Sequence, residues 1–223
     1  SPALPTDNQF KGLVGSLLYL ATCSRPDISH AVSVASRTAK PTQAHWLALK
    51  RVLRYLKGTR DLGISYRQES PPTLVGYSDA DYANDEETRK STTGYCVFFC
   101  GAPIAWRCQR QPIITLSTTE AEYVAGCQLV KELLPIREQL VELEMINESQ
   151  PTTVLIDNQS TVRIASNECG QSRTKHIDIR HKWLTEQVQK KKIAVEHVKG
   201  DDQAADLLTK PLYRAKFFAN RSK

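Results

Sequence analysis

The 223-residue sequence lacks long apolar runs, has one methionine, and is poor in aromatic residues, at 7% of the chain. Its longest apolar stretches, such as Leu17 to Ala21, fall far short of the ~20 residues that cross a bilayer, so no membrane partner is expected. The first ten residues carry neither the basic nor the apolar segment of a secretory leader, which points to a cytosolic or nuclear compartment. The one methionine is Met145 and the chain opens on Ser1, so we expect a piece of a longer polypeptide. The six cysteines form no C-x-x-C pair and have no histidine at zinc-ligand spacing, which excludes the common zinc modules. Thiols inside apolar strings such as YCVFFC are expected to be free and buried. Repeats and low-complexity segments are also absent.

Charge is plentiful but uneven. Residues 1–70 hold ten Lys+Arg against four Asp+Glu, which is the entire net excess of +6. Residues 173–223 are basic again, and the middle of the chain is acidic. Basic flanks around an acidic centre suit a polyanion held beside a metal-binding carboxylate cluster.

Residues 8–67 read as helices. Phe10, Leu13, Val14, Leu17 and Leu18 recur at helical spacing, and a second short helix fits Ile28 to Thr38. Thr42 can cap a third, with Trp46, Leu49, Leu53 and Leu56 as its apolar face and Gly58 as its stop. Lys50, Arg54 and Lys57 make a basic stripe on the opposite side. Glu69 to Pro72 reads as a linker. Strands are expected over Leu74 to Ser78, Thr93 to Cys100 and Ile104 to Arg107. Ser117-Thr-Thr-Glu120 has capping-box form and opens a helix over Ala121 to Leu143, which Pro135 should kink. A buried strand over Thr152 to Ile156 comes next, then a helix over Ser160 to Ser166 and an amphipathic one over 174–192. The last strand is Ile193 to Val198, and a terminal helix runs from Asp202 to Thr209. This order makes an α/β fold with a mixed sheet, antiparallel in one half and parallel in the other.

Four acids stand out. Asp79 and Asp157 each close a short apolar strand, and ligand sites in α/β sheets form outside strand carboxyl ends. Glu122 falls in the first turn of the long helix and Asp206 in the last one. Converging acids repel unless cations neutralise them. Hard oxygen ligands select Mg²⁺ or Mn²⁺, and two such ions can serve an in-line phosphoryl displacement. Each acid also has an ordinary reading: a turn aspartate, or a glutamate favoured by the helix dipole.

The strings YSDADYANDEETRKSTTGY, LSTTEAEYVA, IDNQS, SRTKHIDIRHKWL and DDQAADLLTKPL resemble the ribonuclease H domain of copia-type LTR retrotransposon polyproteins. FKGLVGSLLYLATCSRPDISHAV and HWLALKRVLRYLKGT resemble the end of the preceding reverse transcriptase. The resemblance implies a helical, thumb-like segment over 1–68, a linker over 69–72, a ribonuclease H-like domain over 73–212 and a tail over 213–223. The fold it implies is ribonuclease H-like, a five-stranded mixed sheet flanked by helices. The activity it implies is endonucleolytic cleavage of the RNA strand of RNA–DNA hybrids, during reverse transcription in a virus-like particle or the nucleus. Its partners would be the hybrid duplex and the remainder of the Pol polyprotein.

The family's metal-binding order of Asp, Glu, Asp, Asp falls on Asp79, Glu122, Asp157 and Asp206, which implies two Mg²⁺ or Mn²⁺ ions among them. Integrases and transposases of the same fold typically put their glutamate last. Glu120 competes for the second role but is better used in the capping box; Asp81 and Asp85 read as turn acids. Ser78, Asn158, Gln159 and Ser160 are candidates for sugar and phosphate contacts, and Lys50, Arg54 and Lys57 for phosphates, the alternative being a solvated helix face. The loop histidine that many members carry before the last acid is missing: Lys199-Gly200-Asp201-Asp202 stands there. His176 is an accessory candidate, with helix capping or packing as its other reading. The rival to an enzyme is an inert or domesticated nucleic-acid-binding module.

Overall fold

Phe10, Val14, Leu17 and Ala21 lie on one side of helix α1 (Asp7–Cys23) and are all buried. The spacing of four, three and four residues keeps them on one stripe of a 3.6-residue helix. They pack on Ile28, Val32 and Ala35 around helix α2 (Ser29–Ser36) and on Leu49 of helix α3 (Gln43–Gly58). Thr42 caps α3 reciprocally with His45, whose Nδ1 accepts the Thr42 N–H at 3.0 Å. Two expected core residues face outward: Leu18 is 37% and Leu53 40% exposed. The inner face of α3 runs instead through Trp46, Leu49, Val52 and Leu56, which leaves Leu53 turned away.

The structure, a computed structural model, describes residues 7–67, 70–166 and 178–223, with side chains from 183 onward in the last stretch. It divides into two units, residues 1–65 and 66–223. The first is fastened by a buried polar knot. Arg25 donates from Nε and Nη2 to the two carboxylate oxygens of Asp27 at 2.9 and 2.7 Å, and from Nη1 to the Thr59 carbonyl at 3.0 Å. Tyr55 donates its hydroxyl to Asp27 at 2.5 Å.

In the second unit the strands are β1 (Leu74–Asp81), β2 (Thr92–Phe99), β3 (Ala102–Arg110), β4 (Thr152–Ile156) and β5 (Ile193–His197). They form one sheet in the order β3-β2-β1-β4-β5. The β1–β2 and β2–β3 pairs are antiparallel, and the β1–β4 and β4–β5 pairs parallel. This is the five-stranded mixed sheet that the resemblance implied. Cys100 and Gly101 form the two-residue β2–β3 turn, both at positive φ, as the twist of a tight hairpin demands.

Helix α4 (Thr118–Glu142) covers one face, with Pro135 inside it. Tyr123, Cys127, Leu129, Val130 and Leu133 pack there on Tyr95, Val97, Val154 and Ile156. A Cβ on Gly126 would stand 3.1 Å from Ile156 Cδ1, so the glycine lets α4 lie close to the sheet. Helices α5 (Gln159–Ala165) and α6 (Asp178–Gln189) join the same side. On the opposite face Ala204, Ala205 and Leu208 cover Cys96, with Tyr77, Phe98 and Trp106 alongside.

Several expected boundaries move. β1 continues to Asp81 and β3 spans nine residues, because the antiparallel ladder persists past the end of each apolar run. The last expected helix shrinks to α7 (Asp206–Thr209). The segment expected as a tail contains helix α8 (Arg214–Arg221), whose Asn220 is buried and donates to the Gln203 carbonyl at 3.2 Å. Of the five described cysteines, Cys96 and Cys127 are buried, but Cys100 and Cys108 are half-buried and Cys23 exposed, and all five are thiols rather than disulfides; Cys169 lies outside the described residues.

Replacing Asp27 with alanine strands the Arg25 guanidinium in a buried place, at a cost of about 3–5 kcal/mol. Hydrogen exchange of the α1–α3 amides in the full chain should show a matching loss of protection; unchanged protection would mean that the knot contributes nothing net.

Candidate metal centre

The site lies where the two halves of the sheet part company. The parallel β1–β4 ladder ends at Ser78 opposite Ile156, while the antiparallel β1–β2 ladder runs on through Asp79 opposite Gly94. Asp79 is therefore inside β1 rather than at its end, yet at the carboxyl end of the parallel pairing. Asp157 is the first residue beyond β4, and Asp206 the first of α7. These three carboxylates each present an oxygen within 4.8 Å of the others. Asp79 and Asp206 are 1% exposed and Asp157 is half-buried.

Glu122 approaches from the α4 side. It is the fifth residue of that helix, about one turn deeper than expected, and its side chain reaches β1. One carboxylate oxygen accepts the Ala80 N–H at 3.2 Å, and the other is buried without a partner. An orphaned buried carboxylate oxygen beside three converging acids fits a divalent cation, as does the all-oxygen donor set.

Gly94 brings α7 in. A Cβ there would fall 2.6 Å from a Thr209 methyl and 2.8 Å from Leu208 Cβ, so only glycine allows this approach. Thr209 donates its hydroxyl to Asp79. The fully buried Gln203 ties the preceding loop to β1 by donating to the Ser78 carbonyl at 2.9 Å, and its own side-chain oxygen accepts the Ala205 N–H at 3.2 Å. Lys210 sits 3.4 Å from Asp79 and 2.6 Å from Asp206, the latter an ion pair by distance without hydrogen-bond alignment. Lys216 of α8 reaches the other Asp206 oxygen at 2.5 Å. Sequence reasoning missed Gln203, Thr209, Lys210 and Lys216. Only Lys210 had a local signal, its i,i+4 spacing from Asp206.

Proton affinities reflect the crowding. Burial lifts Asp79 to about 6; Lys210 and the Thr209 hydroxyl oppose this, and Asp206 and Asp157 add to it. Burial, then Asp79 and Asp157, raise Glu122 well above the carboxylate range. Asp157 is raised mainly by burial. Burial pulls Lys210 down, but Asp79, Asp206 and Asp157 outweigh it and raise the ammonium overall.

The remaining sequence candidates scatter. Ser78 is 0% exposed, so it cannot touch a nucleic acid as expected: its neighbour Asp79 occupies the other face of the strand, and Ser78 lies beneath α4. Asn158 caps α5, its side-chain oxygen accepting the Thr161 N–H at 2.9 Å. Gln159 and Ser160 are exposed in the first turn of α5. Lys50 is half-buried with its ammonium 5.3 Å from the Trp46 ring centre, while Arg54 and Lys57 are exposed on α3. His176 lies outside the described residues. His197 has Nε2 3.2 Å from the Asp157 carbonyl oxygen. Glu120 accepts the Leu116 N–H at 2.6 Å, a residue before the expected capping-box partner. Asp85 is a turn acid held by Thr88 and Arg110, but Asp81 belongs to β1.

The sheet order, with its antiparallel and parallel halves and flanking helices, defines a ribonuclease H-like fold. No protein-family model matches the chain. It is 41% identical over 93% of its length to the retrovirus-related Pol polyprotein from transposon TNT 1-94 of Nicotiana tabacum, and 43% over 96% to that from transposon RE2 of Arabidopsis thaliana. Among solved structures it is similar to LC11-RNase H1, isolated from compost, with a TM-score of 0.49 and 15% identity over 62% of this chain and 93% of that one. The chain belongs to the retrovirus-related Pol polyproteins of transposons. It spans 16% and 15% of the length of these two relatives.

Because the folded Asp79 titrates near 6 against an ordinary 3.8, its neutral form favours the fold; that stability is present below the ordinary value and is lost as pH rises through 6. In metal-free protein, Asp79→Asn should raise stability at neutral pH by on the order of 2–3 kcal/mol. Thermal unfolding against pH in chelator should show the gain fading as acidity increases. A destabilised variant at neutral pH would mean that pairing with Lys210 and Thr209 outweighs burial.

Proposed function

We propose that this chain is the ribonuclease H region of a transposon Pol polyprotein and cleaves the RNA strand of RNA–DNA hybrids. The observation that carries this reading is the meeting of Asp79, Asp157 and Asp206 oxygens within 4.8 Å; Glu122 stands outside that group, with one oxygen unpartnered and its proton affinity raised by the charges of Asp79 and Asp157. Asp79, Glu122, Asp157 and Asp206 would hold Mg²⁺ or Mn²⁺. Two such ions supply, when bound, the positive charge that an in-line displacement at a phosphodiester needs.

The chain's own residues supply the rest. Thr209 orients Asp79, the Ala80 N–H orients Glu122, and Gln203 fixes the loop that delivers Asp206. Asp157, the most open of the three aspartates, marks the side from which the backbone of a duplex enters. Gln159 and Ser160 stand exposed two and three residues further on, within reach of neighbouring sugars and phosphates. Hybrid would be read by duplex shape and 2′-hydroxyls, with little sequence preference. Residues 1–68 are proposed to be the thumb-like end of the reverse transcriptase, with Arg54, Lys57 and Lys50 on phosphates. The setting is a virus-like particle in the cytoplasm or the nucleus.

Incubation of the full chain with a labelled hybrid and Mg²⁺ or Mn²⁺ tests the proposal. The RNA strand is expected to be cut, and Asp157→Asn to lower the rate by at least about 100-fold, the scale of losing a principal electrostatic group. Tight binding without cleavage in either metal would make the chain a binding module instead.

A further inference from the structure

Both oxygens of Asp206 are already engaged by ammonium groups. Lys210 stands 2.6 Å from Oδ1, and Lys216 stands 2.5 Å from Oδ2 with its own side chain 17% exposed. A divalent cation that takes Asp206 as a ligand therefore competes with one of the two lysines for that oxygen and its charge. Lys210 has a second carboxylate, Asp79, at 3.4 Å. Lys216 pairs with Asp206 alone among the described residues. It is the one left without a second carboxylate when a cation competes for Asp206.

Helix α8 is built to release that lysine toward an anion. Residues 213–223 contain Arg214, Lys216, Arg221 and Lys223 and no acid. Arg214 and Arg221 lie over the Phe218 ring, 5.6 and 4.6 Å from its centre, so Lys216 is the cation of this helix aimed at the acids. Asn220 anchors the helix end to the Gln203 carbonyl, which leaves the Lys216 stem able to swing without undocking the helix. Once divalent charge matches the acids, an ammonium beside them is surplus positive charge. A phosphodiester oxygen is the partner that such a group takes up most strongly.

Resting on the metal-centre reading above, we propose that Lys216 is a phosphate-positioning residue that changes partners, holding Asp206 before metal binds and a backbone phosphate of the nucleic acid afterwards. Lys216 thus opposes metal binding in the free protein and assists substrate binding in the loaded one. A residue with a merely structural role would not produce effects of opposite sign.

The test uses the full chain with Ca²⁺ as the probe ion. Titration calorimetry without nucleic acid should show Lys216→Gln binding Ca²⁺ up to about tenfold more tightly, the scale of one charge-assisted pair. In saturating Ca²⁺ the same variant should bind hybrid more weakly, with a salt dependence shallower by about one phosphate contact. Lys216→Arg should stay near wild type in both. A second measurement needs no variant: the rate of reductive methylation of Lys216 in wild type, read by mass spectrometry, should rise on adding Ca²⁺ and fall again with hybrid. Unchanged or weaker Ca²⁺ binding by Lys216→Gln, unchanged hybrid affinity, or a methylation rate indifferent to Ca²⁺ overturns the proposal. Failure of wild type to bind either Ca²⁺ or Mn²⁺ is a different result and removes the metal centre itself.

Discussion

Carboxylates buried side by side repel one another and lose hydration, so a cluster of them persists only with positive charge among them. At the carboxyl end of the β1–β4 pairing, Asp79, Asp157 and Asp206 crowd together, and Glu122, which feels the charges of Asp79 and Asp157, leaves one oxygen unpartnered. Without metal, Lys210 and Lys216 provide part of the compensation, and raised proton affinities at Asp79, Glu122 and Asp157 record the part they leave over. The sheet and helices of the second unit bring these groups together and hold water away from them.

The assembly draws on distant parts of the chain. Asp79 comes from the strand shared by both ladders, Asp157 from the neighbouring parallel strand, and Glu122 from the helix on one face. Asp206 comes from the opposite face, and its approach depends on the missing side chain of Gly94. Gln203 then links that loop to the Ser78 carbonyl across 125 residues of sequence. Groups from two faces of one sheet thus converge at the carboxyl end of β1 and β4, an arrangement that the period-two alternation of β1 makes available.

Legibility in the sequence divides along the same line between local and distant. Asp79 and Asp157 announced themselves because apolar strand runs stop at or near them. The capping serine at 117 located α4 and with it Glu122. Asp206 was legible only as an acid of the last helix, whose start the local pattern put four residues too early. Ser78 was misjudged because adjacency to an acid in sequence means the opposite face in a strand. Lys216 and Gly94 were invisible: their importance lies wholly in what stands across from them, and no local spacing encodes that. Helix α8 has no side-chain cap, which removed the usual start signal.

On the proposed reading, Asp79, Glu122, Asp157 and Asp206 would jointly hold divalent cations. Crystals of the full chain soaked in Mn²⁺ and measured at the manganese absorption edge test it directly. Anomalous peaks are predicted among Asp79, Glu122, Asp157 and Asp206, with Lys216 displaced from Asp206. A map without a peak there at saturating Mn²⁺, with Asp206 still clasped by both lysines, would contradict the claim.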